Sequence, residues 1–344
     1  MIIDVFKKDY IQQGLFIFIS FLALWVPAFL SPERLAIAKE PYSLFYNYME
    51  NFALAFPLVA VILSFVLIMA EGIYFNHILV SNNLIHSTTL FPMFAYIMLM
   101  SMNPTNQTFT PMLFSNIFLL IALQNTINCY NQEHSYEKVF NASFCIALAF
   151  LFYFPSVYML LFVVGAFIVY KLYYWREWLV LLLGFIAPFF ALFAYYYITD
   201  QLEAVIKGLS SEVMRFSICY DFSATVPLIC GSVIVLLGVI SLFAIMSGLS
   251  KKVIIYRKKT AIILLLLLLG VIFSMYDMFF PVNQQNFVIP MAFMLPTFFV
   301  AIRSNGKLCN TLFVLFLVAL YVNVYLGFWK KKCNFALLSS CYQR

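Results

Sequence analysis

Residues 139–170, VFNASFCIALAFLFYFPSVYMLLFVVGAFIVY, contain no Asp, Glu, Lys or Arg, and they constrain this chain more than any other stretch. A run of this kind belongs in lipid. A single helix through it would be roughly 48 Å long at about 1.5 Å per residue, well beyond a hydrocarbon core of roughly 30 Å. Pro155 stands at its midpoint. Proline removes a backbone donor and biases the preceding residue away from helical angles. The run therefore reads as two short spans that turn at Phe154-Pro155-Ser156, and this turn sets the direction of every later element.

The rest of the composition agrees. The chain is 65% hydrophobic and 10% charged, with 40 Phe and a mean hydropathy of +0.97. These values mark a polytopic membrane protein. Unbroken apolar runs long enough to span exclude a transmembrane barrel, whose strands alternate faces. The expected fold is an all-α transmembrane bundle, a single integral membrane domain over residues 1–344. A net charge of +6 could suggest a nucleic-acid partner. The basic residues instead concentrate in short interhelical loops, which a positive-inside bias explains without nucleic acid. Cys129, Cys145, Cys230 and Cys309 fall within or beside apolar runs and read as small buried thiols.

In chain order the expected spans are 14–30, 52–70, 84–102, 112–129, 139–154, 156–170, 178–198, 226–249, 261–280, 287–302 and 308–328. This gives about eleven crossings, with the N-terminus cytoplasmic, the C-terminus outside and the bacterial inner membrane as location. Glu71 falls at the inner end of the second span. Two longer outer segments, about 31–51 and 200–222, carry apolar residues at helical spacing and read as interfacial amphipathic helices. The first includes Tyr42, Phe45, Tyr46 and Met49; the second includes Leu202, Val205, Ile206, Leu209, Val213 and Phe216. In this layout Lys330, Lys331 and Lys332 lie outside, against the charge rule, and an exported tail would let Cys333 pair with Cys341.

Few residues carry chemistry. Walker, HExxH and GxSxG patterns are absent, and His77, His86 and His134 have no metal-like spacing, so neither a metal nor a cofactor is expected. Asp277, in SMYDMFF, precedes Asn283, Gln284, Gln285 and Asn286 near the outer end of a span. These residues either line an outward-facing polar pocket or reach the headgroups. Asn116, Gln124, Asn125 and Asn128 gather in the fourth span and read as interhelical hydrogen-bonding groups. In the first outer segment, Glu33 and Glu40 could act as a general base on an acceptor hydroxyl. Arg34 and Lys39 could meet a lipid phosphate.

This order of elements resembles the GT-C superfamily of membrane glycosyltransferases. Those proteins have a cytoplasmic N-terminus, one span, an outer segment with membrane-parallel helices and then a bundle of short spans. The stretch PMLFSNIFLLIALQNTINCY, followed by FNASFCIALAFLFYFPSVYMLLFVVGAFIV, is similar to the family's middle spans, with Phe154-Pro155 at the turn where the family has a Lys-Pro-like pair. NQQNFVIPMAFMLPTFFVAI is similar to its late Arg-Tyr-x-x-Pro pattern, with Asn286 and Phe287 in place of Arg and Tyr. The resemblance implies an outward-facing groove for a polyprenyl-phosphate-linked sugar. Glu33 or Glu40 would then be catalytic, and Arg34, Lys39, Asp277, Gln285 and Asn286 would bind substrate. The first outer segment departs from the family in having no Asp and only isolated Glu33, Glu40 and Glu50.

The stretches NIFLLIAL, FNASFCIALAFLFYFP and REWLVLLLGFIAPFF also resemble a polytopic inner-membrane family of the Bacteroidota, which brings no activity with it. Three readings therefore stand: a transferase or degenerate relative, a noncatalytic member of an envelope assembly that holds protein partners and membrane lipids, and a transporter.

Overall fold

The computed structural model describes residues 5–6, 9–32, 45–85, 89–102, 104–130, 135–171, 174–200, 225–276, 287–301 and 310–326. Among them are twelve α-helices and no strand. In chain order they are α1 Tyr10–Leu30, α2 Tyr46–Ala55, α3 Pro57–Ser81, α4 Phe91–Ser101, α5 Pro111–Asn128 and α6 Tyr136–Phe152. Then follow α7 Tyr158–Tyr170, α8 Trp175–Ile198, α9 Thr225–Leu249, α10 Ile254–Tyr276 and α11 Val288–Ala301. The last is α12 Asn310–Leu326.

Helix boundaries follow local chemistry. Prolines open α3, α4 and α5 in the first turn, where a missing N–H costs nothing. The end of α3 is a Schellman turn, in which the Leu84 amide bonds the Leu79 carbonyl and the Asn83 amide bonds the Val80 carbonyl. Asn83 takes the left-handed conformation this turn requires, at φ 55°. The break between α6 and α7 is a short 3-10 turn, Phe154–Val157, where the sequence places it.

Side-chain bonds between helix ends set their directions. Where α6 turns into α7, Ser156 Oγ lies 2.7 Å from Ser115 Oγ near the start of α5. At the other end of this hairpin the Tyr170 hydroxyl, closing α7, donates to the Ile127 carbonyl near the end of α5. Ser135, before α6, donates to Glu177 in the first turn of α8, so α6 and α8 start together and run parallel. Lys259 in α10 bonds Asn82 after α3, and Lys258 lies over the Tyr130 ring. One end of the bundle thus collects every described Lys and Arg: Lys138, Lys171, Arg176, Lys251, Lys252 and residues 257–259. We call it the basic end. Trp25, Ser101, the turn at 154–157 and Asn323 mark the opposite end.

Three expectations from sequence need correction. The first concerns α3, which continues through residues 71–81 instead of stopping at 70, so Glu71 lies well inside a helix and not at its inner end. GIYFNHILVSNN contains no helix breaker strong enough to stop the run, and its Gly72 is a packing position. A Cβ on Gly72 would come within 2.6 Å of the Ile97 side chain, so the glycine lets α3 approach α4 closely. The second concerns 84–102: among its described residues only Phe91–Ser101 is helical, and all eleven residues of that helix are buried. This segment is a core helix with no face for lipid. The third concerns α10, which begins at Ile254 and takes Arg257, Lys258 and Lys259 into its first turns. Long basic side chains reach out of such a helix end without breaking it.

Among the described residues, four helices are long and apolar enough to cross a membrane: Tyr10–Leu30, Pro57–Ser81, Trp175–Ile198 and Ser232–Leu249. The helices Phe91–Ser101, Tyr158–Tyr170, Val288–Phe299 and Asn310–Leu326 are shorter apolar pieces. The long helices turn apolar side chains outward, as Ile11, Phe18 and Leu22 do on α1 and Leu183, Phe190 and Phe193 on α8. Water would not support such faces, and hydrocarbon does. This chain is a helical membrane protein. Of the first outer segment, α2 is described and residues 33–44 are not; the second, 200–222, lies almost wholly outside the described residues.

Candidate functional site

Helix α4 is the axis on which the site is built. At its start the Leu90 amide donates to Gln13 Oε1 on α1 at 2.8 Å, so a side chain from another helix supplies an acceptor for one of the free N–H groups at a helix start. At its end Trp25 Nε1 donates to Ser101 Oγ at 3.0 Å, and Asn323 Nδ2 donates to the Met102 carbonyl at 3.0 Å. Phe91 and Phe94 pack among Phe6, Phe299 and Phe313, which ties both ends of the chain to the same helix.

Two features around this axis have the character of a site. One is a groove of about 400 Å³ walled by α9, α10, α11 and the end of α4. Its lining is apolar, including Leu99, Val235, Val239, Val271, Phe287 and Met291. Gly238 keeps it open on the α9 side, because a Cβ there would strike the tip of Met291. Val235 is 58% exposed and Val239 49%, so the groove faces outward between helices. Phe287 and Val288, on its wall, directly follow Gln285 and Asn286 in sequence. A second groove of about 630 Å³ lies at the basic end between α9, α10, α11 and the turn after α3, with Asn83, Thr89, Lys252, Tyr256 and Thr297 as its polar members.

The other feature is a buried carboxyl. Glu71 is 2% exposed, and the Tyr96 hydroxyl of α4 donates to its Oε2 at 2.9 Å. Its Oε1 is buried without a hydrogen-bond partner. Tyr96 also stacks obliquely on Phe75, one turn along α3 from Glu71. Beyond Tyr96 lies a small cavity of about 10 Å³, lined by Asn116, Tyr153, Ser156 and Tyr158 among others. Cys129 is buried and Cys145 half-buried, both as free thiols. Among the described residues no His, Cys, Asp and Glu side chains gather as a metal site.

The sequence-derived site residues Glu33, Arg34, Lys39, Glu40, Asp277, Gln285 and Asn286 lie outside the described residues, as do His86, His134, Cys309, Cys333 and Cys341. His77 is exposed on α3. The polar residues of α5 are placed: Gln124 accepts from the Tyr74 hydroxyl, Asn125 bonds back to the Ile121 carbonyl, and Asn116 lines the small cavity. Glu71 was missed because a hydropathy window closes at the first charge. The helical period does contain it: Ser64, Ile68, Glu71, Phe75 and Ile78 recur at three- and four-residue steps along one buried stripe. No family model, no curated protein and no solved structure matches this chain.

Proposed function

We propose that this membrane protein binds an isoprenoid lipid carrying a phosphate-linked sugar, either as a GT-C-like transferase or as a degenerate relative that keeps the lipid site. The observation that carries the reading is the outward-facing apolar groove between α9, α10 and α11. A long unsaturated chain needs an apolar channel open to the bilayer, and its polar head needs hydrogen-bonding groups at one mouth. The segment 277–286, which holds Asp277, Gln285 and Asn286, joins α10 to this wall. In this reading those residues meet the sugar-phosphate, Arg34 and Lys39 neutralise the phosphate, and Glu33 or Glu40 takes a proton from the acceptor hydroxyl.

The same reading takes the eleven helices other than α2 as crossings of the bacterial inner membrane. The alternation of helix ends supports it, and the gathering of described Lys and Arg at one end supports a cytoplasmic basic end and N-terminus. The shorter helices would reach across with their flanking residues and with local thinning of the bilayer. A second reading, a noncatalytic holder of envelope proteins and lipids, is favoured by the lack of Asp in residues 31–51.

Gentle purification followed by native mass spectrometry tests the proposal. Wild type is expected to retain a polyprenyl-phosphate lipid. Val235→Trp, which fills the groove from an exposed position, and Arg34→Ala are expected to lose it. Turnover of a radiolabelled lipid-linked sugar, abolished in Glu33→Gln or Glu40→Gln, then separates transferase from holder. Absence of any isoprenoid lipid, with added polyprenyl phosphate leaving the melting temperature unchanged, overturns it.

A further inference from the structure

Among the described residues, Glu71 has no charged partner from any helix packed against α3. On α4 the one ionisable side chain is Tyr96, which donates to it, and α5 has none between Pro111 and Asn128. On α1 the one ionisable side chain is Tyr10, at the basic end; α2 brings Tyr46, Tyr48 and Glu50 at the opposite end. Within α3 itself, Tyr74 is engaged with Gln124 and His77 is exposed. Lys259 reaches α3 from α10, but it bonds Asn82 beyond the helix end. An unpaired carboxylate anion so placed is strongly disfavoured, and the neutral acid far less so.

The surroundings of this acid are unequal in its two directions. Toward the basic end the buried stripe continues as Phe75, Ile78 and Leu79, with the buried Asn76 and the Tyr74–Gln124 pair beside it and no hydrogen bond from either to the carboxyl. Toward the opposite end Tyr96 lines a cavity with the volume of about one water molecule, and the other lining residues include Asn116, Tyr153, Ser156 and Tyr158. Ser156 continues the file to Ser115 at 2.7 Å, in the turn that ends the hairpin of α6 and α7. Tyr96, which donates to the carboxyl, thus leads from it to hydroxyl and amide groups at that end of the bundle.

We infer that Glu71 is an exchangeable proton site, loaded from the end of the bundle opposite the basic one through Tyr96 and the small, part-polar cavity beside it. In loading, Glu71 Oε2 takes the Tyr96 hydroxyl proton while Tyr96 Oη takes one from water in the cavity. That water is re-protonated along Ser156 and Ser115, each hydroxyl passing on its proton as it takes the next, and a hydronium ion at that end of the bundle supplies the net proton. One O–H bond forms for each that breaks, and no other bond changes. Release runs the same steps backwards. The inference does not depend on the lipid reading, since a groove without lipid leaves it intact.

Infrared spectroscopy of the protein in lipid nanodiscs tests it. A protonated-carboxyl carbonyl band is expected in wild type and absent in Glu71→Gln, and it should move to higher frequency in Tyr96→Phe, which removes its hydrogen bond. In D2O the band should shift promptly. Ser156→Val should slow that exchange several-fold while Ser156→Thr, which keeps the hydroxyl, should not. Melting temperatures confirm that each variant is folded. Three results overturn the inference: no band assignable to Glu71, a Glu71 band that neither exchanges nor titrates at any accessible pH, or a band that sodium ions abolish at constant pH.

Discussion

Trp25 is wholly buried, and its indole N–H donates to Ser101 Oγ. Its ring meets Phe21 and Phe65 edge-on, and Phe21 stacks on Phe65 at 4.2 Å. This contact joins α1, α3 and α4 at the end opposite the basic one. Ser101→Ala leaves the indole N–H without a partner in an apolar surround. Interhelical bonds in membrane proteins average about 0.6 kcal/mol and reach about 1.7 kcal/mol, and this buried one belongs near the upper value. A lowered melting temperature in Ser101→Ala, with little further loss in the double variant carrying Trp25→Phe, is the expected outcome of a double-mutant cycle. Equal and additive losses would mean that the two side chains do not share this bond. Neither partner could be matched from sequence: a serine at the end of an apolar run reads as an ordinary boundary, and its partner lies 76 residues away.

At the scale of elements, the hairpin of α6 and α7 was legible because a single proline in a uniform run leaves little choice of break. α4 was not legible, since FPMFAYIMLMS is apolar on all sides and carries no periodic contrast to distinguish a core helix from a lipid-facing one. The same blindness affects pairing. Helix α8 lies along α6, and its Gly184 faces the α6 backbone so closely that a Cβ would sit 2.8 Å from the Phe140 carbonyl oxygen. Backbone cannot yield as a side-chain tip can. Gly184→Val should separate these two helices and cost about 1–3 kcal/mol, read as a drop in thermal unfolding temperature in detergent. Gly248→Ala, at a position with nothing within 4 Å of a Cβ, should leave that temperature unchanged or higher. Of the site, the groove is the part least readable in advance, because its wall is made of ordinary apolar residues from four separate helices. The acidic and basic residues of 33–40 were readable as types but lie outside the described residues.

For the whole molecule, the arrangement of ends predicts which positions share a side. Ser156 lies in the turn at 154–157 but is buried, so a cysteine there would resist modification on either side of a membrane. Val157, 43% exposed in the same turn, is the better reporter. In a protein whose seven native cysteines are replaced, an impermeant maleimide added outside cells should modify Val157→Cys. It should reach Lys252→Cys, at the basic end, only after permeabilisation. Modification of both from one side would refute the alternation of helices between them. The burial of α4 bears also on biogenesis. An eleven-residue helix has neither the length nor the outward face to rest alone in a bilayer, and much of its packing is against α11 and α12, made about two hundred residues later. During synthesis this segment must wait, sheltered by α1 and α3 or by the insertion machinery, until the last helices arrive. The final third of the chain thus acts as a lock on its first, and a nascent chain stopped after α9 would present α4 to quality-control proteases as an unfinished core.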